Sequence, residues 1–286
     1  MNQPIQEIIG QRYSCRSYLN EPIQESHQQA LKIILKTQQI GPLGTHARFE
    51  LVTATQDDRH SLKGLGTYGF IKNPTGFIIG ALEQGPKNLE DYGFLLEHAI
   101  LAATDIGLGT CWLGGSFTKS SFAKKISLCN EETIPAVVST GYNAEYKGNK
   151  EWIRRYMKAN RRLTMEQLFF ANTFSKSLTT EVAGLYTQPL EMVRWAPSAS
   201  NKQPWRIVRI GNAWHFYLQR TKGYGKGTLL FSILRLADLQ RVDMGIAMCH
   251  FELTARSLGL HGHWIVEDPK LKISGSTEYT VTWIAE

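Results

Sequence analysis

Residues 91–112 read DYGFLLEHAILAATDIGLGTCW, and residues 243–264 read DMGIAMCHFELTARSLGLHGHW. The two stretches share a set of residue types in the same order, without a gap and at a constant offset of 152 residues. Chance does not readily produce such agreement, so the chain contains an internal repeat. The shared residues are Asp91, Gly93, His98, Leu101, Ala103, Gly107, Leu108 and Trp112 in the first stretch and Asp243, Gly245, His250, Leu253, Ala255, Gly259, Leu260 and Trp264 in the second.

Each stretch predicts a long helix that is apolar on most of its circumference, and such a helix is buried on more than one side. Gly107 is expected to end the first of them. Because most homo-oligomers are two-fold dimers, a fused duplicate folds most simply as a pseudo-dimer with the two repeat helices side by side. We therefore expect a first unit, residues 1–163, and a second unit, residues 164–286. Any site at the seam between them would be built from both.

The other predicted elements favour an α+β fold. Amphipathic helices are expected from Pro4 to Gln11 and from Glu25 to Gln38, with short apolar strands after them. In the second unit, Gly211-Asn212 separates two strands and is typical of a hairpin turn. Interspersed helices and hairpins argue against a regular parallel βαβ array.

Composition limits the classes of function. The 286 residues are 42% hydrophobic and 20% charged, which is typical of a globular protein. The formal net charge of +7 suggests an anionic ligand, but the basic residues are dispersed and no nucleic-acid-binding motif is present. Apolar runs are too short to cross a bilayer, and the four cysteines have neither metal-ligand nor disulfide spacing. These features predict a cytoplasmic protein without metal, membrane or nucleic-acid partners.

Three segments contain residues suited to binding. Residues 12–16, RYSCR, place two guanidinium groups around a hydroxyl, which matches phosphate oxygens, although a solvated basic helix end is the alternative. Residues 196–205, APSASNKQPW, offer amide donors and acceptors that suit a heteroaromatic ring, or they form a polar turn. Residues 107–115, GLGTCWLGG, let the backbone approach a ligand closely, or they end a helix and begin a strand.

In this order and spacing, the segments resemble the FMN-dependent nitroreductase family, and most closely its two-copy, single-chain branch of TM nitroreductase-like proteins. The resemblance covers nearly the whole chain. Residues 12–16 resemble the family's phosphate motif, residues 160–163 its second phosphate-binding basic pair, and residues 196–205 its ring-contacting loop. The resemblance implies no catalytic side chain, because flavin N5 performs the chemistry. The residues that it implies for FMN binding are Arg12, Tyr13, Ser14, Arg16, Leu113, Gly114, Gly115, Arg161, Arg162, Pro197, Ser198, Ser200, Asn201 and Gln203.

The resemblance also implies that two subunits share each flavin, and here the two units have lost complementary parts. The first unit keeps the phosphate motif, the glycine segment and the basic pair, but its version of the ring loop, Gly41–His46, lacks the Ser and Asn. The second unit keeps the ring loop, but its version of the phosphate motif, Asn172–Lys176, lacks both arginines. One composite site stays whole, so we expect one FMN per chain.

The activity implied is electron transfer from NAD(P)H through FMN to an electrophilic small molecule. Some family members have an acidic residue where this chain has Gly114, so the resemblance does not identify the electron acceptor. A flavin-binding or sensing module with little turnover is an alternative, as are a reductive dehalogenase and a heterocycle dehydrogenase. The pseudo-dimer is expected to be a monomeric chain, with further dimerisation possible. His98 and His250 are expected to pack or pair at the seam rather than act in catalysis.

Overall fold

The computed structural model describes residues 1–54, 62–144, 161–225, 236–273 and 275–286. The helices among them are α1 (Ile5–Gln11), α2 (Glu25–Thr37), α3 (Asn88–Asp105), α4 (Lys119–Lys125), α5 (Met165–Leu168), α6 (Thr180–Ala183), α7 (Thr187–Trp195) and α8 (Leu239–Ser257). The strands are β1 (Ala47–Thr53), β2 (Gly76–Glu83), β3 (Gly109–Leu113), β4 (Glu132–Thr133), β5 (Val137–Gly141), β6 (Phe169–Ala171), β7 (Trp205–Ile210), β8 (Ala213–Gln219), β9 (Gly262–Ile265) and β10 (Thr277–Ala285).

Each unit contains one five-stranded sheet, and the two sheets have the same core order. The first runs β1-β2-β5-β3 with β4 beside β2, and the second runs β7-β8-β10-β9 with β6 beside β7. Neighbours within the four-stranded cores are antiparallel, whereas β6 runs parallel to β7. The expected α+β fold is confirmed, and the matching strand order supports the predicted duplication.

Burial follows the sequence pattern. The apolar strands β2 and β5 are buried on both faces, and hydrophobic clusters lie on either side of the first sheet. In the second unit, a single large cluster includes the fully buried Trp205, Trp214 and Trp283. Gly107 follows the end of α3 with a φ of 83°, so the predicted helix end is confirmed.

The repeat helices α3 and α8 pack side by side at the seam, as predicted. A Cβ atom on Gly93 would collide with the carbonyl oxygen of Val242, and one on Gly245 would collide with that of Glu90. The two glycines are 152 residues apart, and so are Glu90 and Val242. The crossing is therefore reciprocal, because each helix places its glycine against the equivalent carbonyl of the other. Arg241 adds a bidentate ion pair to Glu90 across the seam, at 2.6 and 2.9 Å. Only glycine allows the two helix backbones to come this close.

Candidate functional site

The predicted phosphate motif follows α1 and runs beside the start of β3. Arg12 ends α1 with an extended backbone, Ser14 forms a bridge with Thr110, and Cys15 N–H donates a 2.8 Å hydrogen bond to the Thr110 carbonyl. The motif and the glycine segment are therefore neighbours. The ring of Tyr13 packs against the hydrophobic core of the first unit.

Guanidinium groups from different parts of the chain converge beside this motif. The pKa of Arg162 falls to about 10, mainly because the group is buried and further because the positive charges of Arg12 and Arg194 lie near it. Burial raises the pKa of the Cys111 thiol, and the guanidinium groups of Arg16 and Arg12 oppose that rise. Like charges held together in a partly buried region are stabilised by a bound anion.

The predicted ring-contacting loop has an unusual backbone. It contains a short 3₁₀ turn, Ala199–Asn201, and Ser200, Asn201 and Gln203 have φ values of 51°, 53° and 49°. Residues other than glycine adopt this left-handed conformation at a cost of about 1–3 kcal/mol each, and such conformations cluster at functional sites. The surrounding contacts must therefore impose the shape of this loop.

Two side chains of the loop hold the basic pair of the first unit. Arg162 donates a 2.5 Å hydrogen bond to the amide oxygen of Asn201, whose Nδ2 donates to the Arg161 carbonyl at 3.0 Å. The Leu163 N–H donates to Gln203 Oε1 at 2.9 Å, and Gln203 Nε2 donates to the Arg161 carbonyl at 3.2 Å. The loop thus positions the basic pair across the seam. Direct contact of these two amides with a flavin ring stays a prediction.

The other predicted residues of this loop lie at the same place. The hydroxyl of Ser198 accepts a 2.9 Å hydrogen bond from the Gln203 N–H, and the Ser200 hydroxyl lies 3.2 Å from that of Tyr224. Pro197 is half-buried. Tyr224 was not among the residues predicted for the site.

Each repeat aspartate holds the loop of its own unit. Asp91 accepts hydrogen bonds from the N–H groups of Leu43 and Thr45, both at 2.8 Å. Asp243 accepts one from the Ala199 N–H at 2.9 Å through Oδ1. Its Oδ2 is buried and has no hydrogen-bond partner among the described residues. The repeat pattern marks both aspartates, but the pattern alone does not reveal these contacts.

The glycine segment faces the second unit. Leu113 is buried at the end of β3, and Gly114 and Gly115 follow it. A Cβ on Gly114 would collide with the side chain of Leu239, and one on Gly115 would lie 3.1 Å from Leu236. The Gly115 backbone is exposed. A larger residue at Gly114 would therefore have to displace the Leu239 side chain.

A fully buried carboxyl group, Glu97, joins the phosphate motif to the second unit. It accepts a 2.7 Å hydrogen bond from Trp112 Nε1, lies 3.8 Å from Arg12 Nε, and lies 3.0 Å from His250 Nε2. His250 Nδ1 lies 2.9 Å from the Met192 carbonyl, which can only accept, so Nδ1 must be protonated. The contact with Glu97 then requires a further proton, either on Nε2 or on the carboxyl group.

The structure brings the phosphate motif, the basic pair and the ring loop into one region at the seam. Asn160, the first residue of the predicted basic segment, lies outside the described residues. His250 lies at the seam as expected, whereas its counterpart His98 lies 3.4 Å from Gln38 in its own unit. Sequence reasoning missed Glu97, because a single acidic residue in an apolar helix matches no motif.

Two further properties concern the described part of the chain. None of its helices is both long enough and apolar enough to span a membrane. Within those same ranges, no three His, Cys, Asp or Glu side chains are grouped so that they could hold a metal ion.

Comparison with solved structures shows the same fold in one protein over the whole length. A crystal structure described as "a putative nitroreductase" from Thermotoga maritima is 19% identical, with a TM-score of 0.63 over 99% of this chain and 94% of that one. A nitroreductase family protein from Clostridium difficile is 19% identical over 58% of this chain and 96% of its own, with a TM-score of 0.43. A nitroreductase with bound FMN from Bacteroides fragilis is 23% identical over 52% of this chain and 94% of its own, with a TM-score of 0.41.

A comparison with curated proteins finds no match. The family model described as "Putative TM nitroreductase" matches residues 4–255, which is most of the chain. The chain therefore belongs to this nitroreductase family.

Proposed function

We propose that this chain is an FMN-dependent oxidoreductase that moves electrons from NAD(P)H to an electrophilic small molecule, with one FMN bound at the seam. The observation on which the proposal rests is the meeting of two cationic groups of the first unit with the ring loop of the second. Arg162 bonds directly to Asn201 of that loop, and Arg12 lies close enough to lower the pKa of Arg162.

The residues at the seam fit FMN in charge. Arg12, Arg16 and Arg162 would hold the phosphate, and charge-assisted hydrogen bonds of this kind contribute about 1.5–3 kcal/mol each. Gly115, whose backbone is exposed, would offer its N–H to the ring without interference from a side chain. Bound there, FMN would supply two-electron redox chemistry, for which the protein provides position and electrostatics.

The protein's own residues would act by orienting the ring and the phosphate. Contacts from Asn201 and Gln203 keep the basic pair in place, while Glu97 lies between Arg12 and the second unit. We assign no acid or base to a side chain, since solvent can supply the proton. These contacts hold the left-handed backbone of the ring loop, and a loop that is held in place loses less entropy on binding.

A single FMN per chain is supported by the asymmetry of the two units. The phosphate motif of the first unit runs beside β3 through the Ser14–Thr110 bridge. Its counterpart in the second unit, Asn172–Lys176, instead turns back on β6, where the Ala171 N–H donates to the Lys176 carbonyl at 2.8 Å. Both arginines are absent from that turn.

The proposal is tested by the visible absorption spectrum of the purified protein, with and without added FMN, followed by anaerobic NADH and then NADPH. We expect a flavin spectrum that corresponds to one FMN per chain and bleaches with one of the nucleotides. Release of two FMN per denatured chain would contradict the single composite site. Flavin that only dithionite reduces would favour a binding module, and failure to take up FMN would contradict the proposed function.

A further inference from the structure

The two repeat aspartates occupy equivalent places but differ in how they are satisfied. Both oxygens of Asp91 accept backbone N–H groups of the first unit's loop. Asp243 holds the second unit's loop through Oδ1 alone, and its Oδ2 has no hydrogen-bond partner in the described parts of the chain. Buried polar atoms in native proteins are rarely left unsatisfied, so Oδ2 requires an explanation.

Asp243 lies between the two segments that the resemblance places around the ring. Its Oδ1 contacts Ala199 in the ring loop. Leu239, one turn earlier on α8, faces Gly114 of the glycine segment, and residues four apart share a helix face. Tyr224 is also near, since its hydroxyl lies 3.2 Å from that of Ser200, the residue after Ala199. The unpartnered oxygen therefore belongs to a residue between the ring loop and the turn of α8 that faces the glycine segment.

The surroundings of Asp243 favour its neutral form. The side chain is 3% exposed, and its pKa is raised well above the ordinary value, mainly by burial and further by the charge of Asp238, although the Ala199 N–H opposes the rise. Because Oδ1 accepts the Ala199 N–H, the acid proton belongs on Oδ2. The result is a buried hydroxyl donor without an acceptor. Burial also raises the pKa of Asp91, but two backbone N–H groups oppose that rise.

We propose that Asp243 is a ligand-binding residue of the composite site, donating a hydrogen bond from Oδ2 to a ring carbonyl oxygen of the bound flavin. This inference rests on the proposed function and extends it to a residue outside the predicted binding segments. Asp91 is the matched counterpart without this role, because its own loop occupies both oxygens. A donor at a ring carbonyl stabilises the electron-rich reduced flavin, so the residue would also raise the midpoint potential.

The test compares Asp243→Asn with Asp243→Leu in the full-length protein. An asparagine retains an oxygen for Ala199 and an N–H donor at the position of Oδ2, whereas leucine has neither. We expect Asp243→Asn to bind FMN about as tightly as the wild type, measured by quenching of flavin fluorescence. Asp243→Leu should bind about three- to tenfold more weakly and have a lower midpoint potential. If leucine prevents folding, Asp243→Ala replaces it in the same comparison.

Asp91→Asn is the matched control. Its amide group would face a backbone N–H, so we expect a lower melting temperature of the apoprotein with unchanged FMN affinity of the folded protein. Asp243→Asn should not lower that temperature.

The inference is overturned if Asp243→Leu binds FMN like the wild type, or if Asp243→Asn loses as much affinity as Asp243→Leu. Wild-type protein that takes up no FMN would contradict the proposed function. In that case, the melting temperatures of the Asp91→Asn and Asp243→Asn apoproteins would still test whether Asp243 is neutral.

Discussion

The helix crossing at the seam leads to a quantitative prediction for Gly245→Ala. The new Cβ would lie 2.8 Å from the carbonyl carbon of Glu90 and from the backbone nitrogen of Phe94, and closer still to the Glu90 oxygen. Ordinary contact begins at 3.4 Å, so these two atoms alone require the helices to separate by about 0.6 Å, and the nearer Glu90 oxygen requires more. Overpacking of this kind costs about 1–3 kcal/mol, and backbone atoms cannot rotate away as a side chain can. At roughly 2–4 °C per kcal/mol, the melting temperature should fall by about 2–12 °C.

Gly10→Ala is the control for this measurement. Gly10 also lies inside a helix, α1, but a Cβ there would meet no atom within 4 Å. Because alanine is favoured over glycine in helices by about 1 kcal/mol, Gly10→Ala should be as stable as the wild type or more stable. Thermal unfolding of both variants by circular dichroism checks the prediction. If Gly245→Ala melts no lower than Gly10→Ala, the reasoning about the crossing is refuted.

Variants at three further positions test the site and the fold. Arg162→Ala should weaken FMN binding by roughly 10- to 100-fold through the loss of one charge-assisted contact, and equal affinities in a fluorescence titration would contradict this role. Glu97→Gln should nearly retain the melting temperature, because its amide can donate a hydrogen bond to neutral His250. Glu97→Leu should melt lower, because it leaves buried polar groups unsatisfied at about 1–3 kcal/mol each. Equal losses in the two variants would argue against a proton between Glu97 and His250. Hydrogen bonds from Arg48 lower the pKa of Glu132 from 4.5 to about 2, so its stabilisation is present above pH 4.5 and lost as pH falls towards 2. The difference in unfolding free energy between the wild type and Glu132→Gln should shrink over that range, and a constant difference would be inconsistent with the ion pair.

The long helices could be predicted because their apolar residues recur over many turns, yet their starts could not. The repeat pattern begins at Asp91 and Asp243, whereas α3 begins at Asn88 and α8 at Leu239. Both extra turns contribute to the seam ion pair, through Glu90 and Arg241, and the turn of α8 also faces the glycine segment. Strand β6 was not predicted, because three residues are too few to show a period and their pairing depends on the distant strand β7.

The components of the candidate site could be predicted as local motifs, but their mutual contacts could not. A run of short polar residues indicates a binding loop, yet the partners of Asn201 and Gln203 depend on where residues 161–163 pass in space. Glu97 gives no signal in the sequence, because its importance comes from three partners that lie far away along the chain. Contacts of this kind are properties of the tertiary structure.

The reciprocal crossing of α3 and α8 has a genetic consequence. In a dimer of identical chains, one codon change would place the same new residue on both sides of such a crossing. Here Gly93 and Gly245 have separate codons, so a mutation alters one side and leaves the other as it was. The same holds for Asp91 and Asp243. Natural selection can therefore act on each position independently, and one member of a pair can acquire a new role while the other maintains the architecture.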